Sequence, residues 1–341
     1  MFTVSQIIER NLSRRKSELS GLWINPANDE AWQTVKGACS TLKLFSQDFT
    51  VYRSLKSAGT DVSFSAFPAA NEGKYQWIIV NLPRQKALLS MVLDCAASML
   101  ANDGVVWLAG ENKAGIKSAV KYLKLYFGQV RKLDNARHCT LFEASEVLEP
   151  SPFDPLPYKQ EWSLHCENRE LSIASYPGVF AHGRLDAGTR LLLEAMADLK
   201  IEGDVLDFAC GAGVIGACIA AGNTQASLTL LDSNAIALRA CEETLKLNRL
   251  DGIVLPSDGL SEIRESYDLV ISNPPIHTGV KTDNHLGMHL LESVFDHIKP
   301  AGMLIMVANI HLPYEKWLSS RSRHCTVLAS NDNYKVILAK K

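Results

Sequence analysis

Short runs of Val, Ile and Leu punctuate the second half of the chain, at positions 204–208, 227–231, 253–255, 267–272 and 303–308. Apolar runs of this length, bounded by polar turns, predict strands buried on both faces. Helical spacing fills the intervals, for example from Asn234 to Asn248 and from Gly287 to Ile298. Alternation of this kind predicts an α/β fold, a mostly parallel sheet with helices on both faces. The end of the chain departs from the rule. Val327 to Ala329, a polar Asn331-Asp332-Asn333 turn and Tyr334 to Ala339 predict a terminal antiparallel hairpin.

The first half carries a fainter version of the same pattern. Tyr75-Gln-Trp-Ile-Ile-Val-Asn-Leu-Pro83 lines up with Tyr267-Asp-Leu-Val-Ile-Ser-Asn-Pro-Pro275, and Asp103–Gly110 with Ala301–Ala308. Leu133-Asp134-Asn135 and Thr140-Leu141-Phe142 echo the closing hairpin. The offsets, about 192 to 200 residues, are regular enough to predict a duplicated domain. Between the copies lies Glu149-Pro-Ser-Pro-Phe-Asp-Pro-Leu-Pro157, too rich in proline for a helix or a central strand. It is read as a linker, giving a domain at 1–150 and a second at 165–341. The copies are unequal: strand 204–208 runs into a glycine-rich turn, whereas Gly21-Leu-Trp-Ile-Asn-Pro26 has no glycine after its apolar run. The first copy is therefore expected to keep the scaffold and to lack the loop.

Composition narrows the class. The 341 residues are 47% hydrophobic, enough for two cores. No apolar run approaches the roughly 18 residues of a membrane span, and the N-terminal segment lacks the apolar core of a signal peptide. The eight cysteines form no CxxC pair and no zinc-like spacing with histidine, so no metal is expected. A reduced, cytoplasmic protein is the expectation. The net charge of −2 hides an asymmetry: residues 1–150 hold 18 Lys/Arg against 14 Asp/Glu, the remainder 17 against 23. The basic half suits a polyanion.

Chemistry concentrates at two strand ends. In Val205-Leu-Asp-Phe-Ala-Cys-Gly-Ala-Gly-Val-Ile-Gly216 a strand reaches Asp207, then Gly211, Gly213 and Gly216 turn into a helix. Glycines permit a tight turn and close approach of a ligand. The same GxGxxG spacing serves pyrophosphates, but a carboxylate at Asp207 repels one and suits the ammonium of a methionine moiety. The next strand ends at Asp232, placed to accept hydrogen bonds from ribose hydroxyls or to cap the following helix. Asp258, after the third strand, is either an acceptor for an adenine amine or a turn residue in Pro-Ser-Asp-Gly. The fourth strand ends in Asn273-Pro274-Pro275-Ile276. Two prolines stiffen the chain and would fix the Asn273 amide and the Pro274 carbonyl as a pair of acceptors. Such a pair orients a planar exocyclic amine and stabilises the positive charge that develops when it attacks a methyl group.

These motifs resemble the Rossmann-like (class I) methyltransferases that act on planar amino nitrogens. Tyr176-Pro-Gly-Val-Phe180, Leu185-Asp-Ala-Gly-Thr189, Ser272–His277, Ala308-Asn309, Leu312-Pro-Tyr314, Glu111–Lys117 and Asp134–Arg137 extend the resemblance to the ribosomal RNA small subunit methyltransferase C family, over nearly the whole chain. The resemblance implies two tandem Rossmann-like methyltransferase domains with a degenerate first copy. It implies S-adenosyl-L-methionine as cofactor and N2 of a guanine in 16S rRNA, or in the small ribosomal subunit, as target. Asp207, Gly211, Gly213, Asp232, Asp258 and Phe180 are the expected cofactor contacts, and Asn273, Pro274, Pro275 and Ile276 the catalytic set. Two departures stand out. Ala209 replaces the usual glycine, tolerable if its backbone is unstrained, and Ile276 replaces the usual aromatic, removing a stacking face. Tyr176, Phe180 and Trp162 either line the cleft or belong to the core; His277 either contacts substrate or caps a helix.

The RNA is expected to meet the first domain. Lys113, Lys117, Lys121 and Lys124 fall on one stripe of a helix whose other stripe is Ile116, Val120, Leu123 and Phe127. No acid interrupts the chain between Glu111 and Asp134, whereas a merely solvated face mixes signs. A monomer is expected. The competing readings are a methyltransferase for another planar amine, such as a guanine of 23S rRNA, and a catalytically silent RNA-binding assembly factor.

Overall fold

The computed structural model describes residues 2–14, 19–68, 73–166, 169–222, 225–274 and 293–341. The chain divides into two compact units, Met1–Lys159 and Gln160–Lys341. The first contains α1 (Thr3–Arg10), β1 (Ser20–Ile24), α2 (Ala31–Gly37), β2 (Thr41–Ser46), α3 (Phe49–Ser57), β3 (Val62–Phe64), β4 (Tyr75–Asn81), α4 (Lys86–Met99), β5 (Leu100–Glu111), α5 (Ile116–Tyr126), β6 (Phe127–Ala136) and β7 (Cys139–Val147). Its seven strands lie in the order β3-β2-β1-β4-β5-β7-β6. All neighbours are parallel except β7, which pairs antiparallel with β5 and β6.

The second unit opens with a hairpin, β8 (Gln160–Cys166) and β9 (Arg169–Ser175). It continues with α6 (Ala187–Met196), β10 (Gly203–Phe208), α7 (Val214–Gly222), β11 (Ala226–Asp232), α8 (Ala235–Asn248), β12 (Ile253–Pro256), β13 (Tyr267–Ser272), β14 (Ile298–Asn309), α9 (Tyr314–Ser319), β15 (His324–Ser330) and β16 (Tyr334–Lys340). The order β12-β11-β10-β13-β14-β16-β15 repeats the first sheet strand for strand. The likeness extends to detail. The register slips between Tyr75 and Trp77 in one copy and between Tyr267 and Leu269 in the other. Strands β5 and β14, each of 12 residues, share one burial pattern position by position.

Period-two alternation decides which side each residue faces. Leu206, Val270, Leu304 and Ile337 pack in one core of the second unit, while Val205, Leu269, Ile305 and Val336 pack in the core on the opposite face. Caps place the helices: the Asn234 side chain accepts from the Ile236 N–H at 2.9 Å, and Arg249, at φ 53°, ends α8 in the left-handed region. The hairpin β8–β9, which sequence alternation left unassigned, is tied to α8. Asn248 accepts from Ser172 N–H and donates to the Ser172 carbonyl.

Two boundaries differ from expectation. The proline-rich stretch belongs to the first unit: the Phe153 ring meets Phe67 with centroids 5.5 Å apart and planes tilted by 51°, and the Tyr158 hydroxyl donates to Asp94 at 2.7 Å. Ile298, expected to end a helix, begins β14 instead. Pro300 cannot continue a helix, and Ala301 at φ 66° turns the chain beside the slipped register.

Candidate active site

Three strand tips meet where the strand order reverses. Phe208 is level with Leu231 on one side and with Ser272 on the other, so Asp232 and Asn273 each lie one residue beyond, flanking the loop that leaves β10. The Ser272 hydroxyl donates to the Phe208 carbonyl at 2.7 Å and clamps the two tips together. Such a reversal at the carboxyl ends of parallel strands is where open α/β sheets leave a crevice.

The loop is held by its two acids. Asp207 is fully buried. Its Oδ2 accepts from the Gly216 N–H at 2.9 Å, and its Oδ1, also buried, has no hydrogen-bond partner among the described residues. Burial, and secondarily the charge of Asp232, push this carboxyl up to about 7 against the single lowering contact from Gly216. Asp232 accepts from the Gly211 N–H at 2.9 Å and from the Asn234 N–H at 2.8 Å, and is half-buried. Gly211, at φ 55°, has open space where a side chain would be; at Gly213, φ 74°, a Cβ would lie 2.6 Å from the Cys241 sulfur. Ala209 sits at φ 58°, so the condition set for tolerating it, an unstrained backbone, is not met. An L-residue in that region costs roughly 1–2 kcal/mol, which the usual glycine avoids.

On the other flank the Asn273 amide is tied by its nitrogen. Nδ2 donates to Asp186 Oδ2 at 3.0 Å and to Thr189 Oγ1 at 2.9 Å. Asp186 also caps α6, accepting from Thr189 N–H at 3.0 Å. Asn273 is half-buried and Pro274 buried. Pro275, Ile276 and His277 lie outside the described residues. The sequence singled out Asp186 only within Leu185–Thr189, one of the stretches that carry the resemblance; its bond to Asn273 spans 87 residues and left no local signal.

The other candidates separate. Phe180 is 60% exposed on a loop whose Gly178 carbonyl accepts from Asn234 Nδ2 at 3.0 Å, which anchors the loop beside Asp232. Tyr176 is core, with its hydroxyl donating to Glu243. Trp162 is half-buried on β8. Asp258 is half-buried, just beyond Ser257, whose N–H donates to the Asp232 carbonyl at 3.1 Å.

The first unit carries the same architecture with different contents. By strand register Trp23 stands where Asp207 does, Ser46 where Asp232 does and Asn81 where Asn273 does. Trp23 is fully buried, and its indole N–H donates to Asn81 Oδ1 at 3.1 Å. Of the lysines, Lys117, Lys121 and Lys124 are exposed on α5. Lys113 is not on that helix: it sits in a separate single turn, divided from α5 by Gly115 at φ 91°, and pairs with Glu111 at 3.2 Å. Phe127 is buried as expected but opens β6.

The site suits S-adenosylmethionine. It has a buried acceptor without a partner at the base of the loop, a bare glycine facing open space and a carboxylate at the next strand tip. Among the described residues no cluster of His, Cys, Asp or Glu could hold a metal ion, and no helix is long and apolar enough to cross a membrane.

Strand order, glycine loop and the strand end at Asn273-Pro274 together define a Rossmann-like methyltransferase domain in the second unit, and the first unit repeats its strand order without the loop. The methyltransferase small domain family model matches residues 170–338, and the methyltransferase small domain N-terminal model matches residues 5–162. The chain belongs to the ribosomal RNA small subunit methyltransferase C family. A member from Shewanella pealeana is 39% identical over 263 residues, 77% of this chain and 76% of its own. Another, from Shewanella amazonensis, is 33% identical over 339 residues, 99% of this chain and 98% of its own. In fold, the chain is similar to the T. thermophilus 16S rRNA N2 G1207 methyltransferase solved with AdoMet and guanosine, with a TM-score of 0.84 at 20% identity over 98% of this chain and 92% of that one.

Proposed function

We propose that this protein methylates the exocyclic N2 of a guanine in 16S rRNA, working as a cytoplasmic monomer on the RNA or on the small ribosomal subunit. The observation that carries the reading is the Asn273 amide, anchored through its nitrogen one residue beyond the strand that flanks the glycine loop. Among the described residues nothing donates to its oxygen, which can act as an acceptor.

S-adenosylmethionine, when bound, supplies a methyl group already activated on a sulfonium. Gly211 and Gly213 line the methionine end, Asp207 supports that loop from beneath, and Asp232 and Asp258 face the ribose and adenine, with Phe180 at the rim. The guanine amine is a poor nucleophile because its lone pair is delocalised into the ring. Asn273 Oδ1 and the Pro274 carbonyl each accept one of its hydrogens. They hold its lone pair in line and stabilise the positive charge that grows on nitrogen. Pro275 and Ile276 complete the corner, and Ile276 offers apolar contact in place of a stacking ring. A paired guanine is out of reach, so the base must be unpaired or flipped. Lys117, Lys121 and Lys124 of the first unit, with Lys113 just before them in sequence, supply phosphate contacts, and His277, which follows Ile276, a substrate contact.

The test is mass spectrometry of 16S rRNA nucleosides from cells lacking the protein, complemented with the wild-type chain or with Asn273→Ala. The wild type should restore N2-methylguanine; the folded variant should be slower by about 10²–10³. Loss of a different methylated base would redirect the reading to another planar amine, and no loss at all would favour an assembly factor.

A further inference from the structure

The two ends of a primary amide have almost the same shape and opposite chemistry, since the oxygen accepts and the nitrogen donates. A half-turn about the last side-chain bond exchanges them. For an amine with two hydrogens to place, that half-turn sets N–H against N–H and removes the acceptor. Something must therefore choose the orientation of Asn273.

Its two neighbours differ in their power to choose. Thr189 Oγ1, 2.9 Å from Asn273 Nδ2, is a hydroxyl and can meet either end of the amide, as donor or as acceptor. Asp186 Oδ2, 3.0 Å away, belongs to a carboxylate, which when ionised only accepts. It admits the nitrogen and repels the oxygen. Asp186 is itself fixed: the same Oδ2 receives the Thr189 N–H as the cap of α6, and a Cβ on Gly188 would approach it to 3.0 Å. The bareness of Gly188 thus makes room for the carboxylate.

The first unit shows the opposite outcome with an amide at the same register. Among the described residues no acceptor-only group meets the Asn81 amide; a donor, the Trp23 indole, holds its oxygen at 3.1 Å. One copy engages the nitrogen of its asparagine and the other engages the oxygen.

We propose that Asp186 is a positioning residue that fixes the polarity of the Asn273 amide, so that its oxygen faces the substrate amine; Thr189 steadies the amide without selecting its direction. This rests on the acceptor role proposed for Asn273.

Three variants test it in the full-length protein, with single-turnover methyl transfer to 16S rRNA, S-adenosylhomocysteine affinity and thermal melting as readouts. Asp186→Ser keeps a good helix cap and removes the acceptor from Asn273. It should slow methyl transfer by about tenfold to a hundredfold, the usual worth of a hydrogen bond to a charged group. Cofactor affinity and melting should stay near wild type. Asp186→Asn retains an oxygen able to take both N–H groups and should remain within a few-fold of wild type. Adding Asp186→Ser to Asn273→Ala should cause no further slowing, because the two act through one amide. The proposal is overturned if Asp186→Ser is as fast as wild type while Asn273→Ala is slow. It is also overturned if Asp186→Ser loses cofactor affinity and stability along with rate, the mark of a cap alone, or if Asp186→Asn is as slow as Asp186→Ser. Full activity of Asn273→Ala would instead refute the acceptor reading itself.

Discussion

Asp207→Asn isolates the electrostatic state of the loop's base. Asparagine is nearly the same size as aspartate, and its Oδ1 can keep the contact from Gly216 N–H while an amide nitrogen replaces the buried oxygen that lacks a partner. In the folded protein the Asp207 carboxyl is pushed from 3.8 up to about 7, first by burial and then by the Asp232 charge. A folded value above the unfolded one means that the native state holds the proton more tightly. Stability from this group is intact below the unfolded value, falls as pH rises between the two, and reaches its floor above about 7. At about 1.4 kcal/mol per unit, the whole fall is on the order of 4 kcal/mol, and the part between pH 5 and pH 8 is on the order of 3 kcal/mol. The stability of Asp207→Asn minus that of wild type should therefore climb by up to that amount over this interval and then level off. Other titrations are common to both proteins and cancel. Denaturant-dependent hydrogen exchange, read on peptides from β10 and α7 without cofactor, measures the difference in this unit alone. A difference that stays flat from pH 5 to pH 8.5 would show that Asp207 is ionised in the fold throughout, and the reasoning from burial would be wrong.

Asp232→Ala should weaken S-adenosylhomocysteine binding by about 1.5–3 kcal/mol, because the carboxylate proposed to meet the ribose also holds the Gly211 N–H; titration calorimetry should give one site per wild-type chain, and two sites would contradict a degenerate first copy. Changing Lys117, Lys121 and Lys124 together to Gln should flatten the salt dependence of rRNA binding by about two to three units while leaving cofactor affinity alone. An unchanged slope would show that this face of α5 is only solvated surface.

Much of this architecture can be read from the chain because strands buried on both faces write themselves as apolar runs. The runs at 204–208 and 267–272 match β10 and β13 within a residue, and their ends deliver Asp207 and Asn273. The α8 cap is Asn234, two residues beyond Asp232, the cap that the sequence offered as an alternative to a ribose contact. What stayed hidden depends on partners far apart in sequence. The Asp186–Asn273 bond joins a helix cap to a strand tip, and Trp23 meets Asn81 across 58 residues. The hairpin β8–β9 has the right alternation, Trp162 and Leu164 against Leu171 and Ile173, but β8 has no buried position and its polar residues did not stand out from a loop. The separation of Lys113 from α5 was written in Gly115, whose left-handed turn breaks the stripe. Ala209 shows the reverse: composition alone hides that the position demands a positive φ.

The indole of Trp23 makes the divergence of the two copies a one-way step. Restoring an aspartate there would empty a fully buried position of its largest side chain, a change that costs roughly 3–5 kcal/mol in a packed core. The carboxylate so restored would face Asn81 with no glycine loop behind it. The residues that follow β1 are Asn25 and Pro26, and proline has no N–H to give. The Trp23 reversal alone therefore loses packing without supplying a loop. The first copy is thus held in a packed state without the loop, and what it contributes to the reaction has to come from its surface.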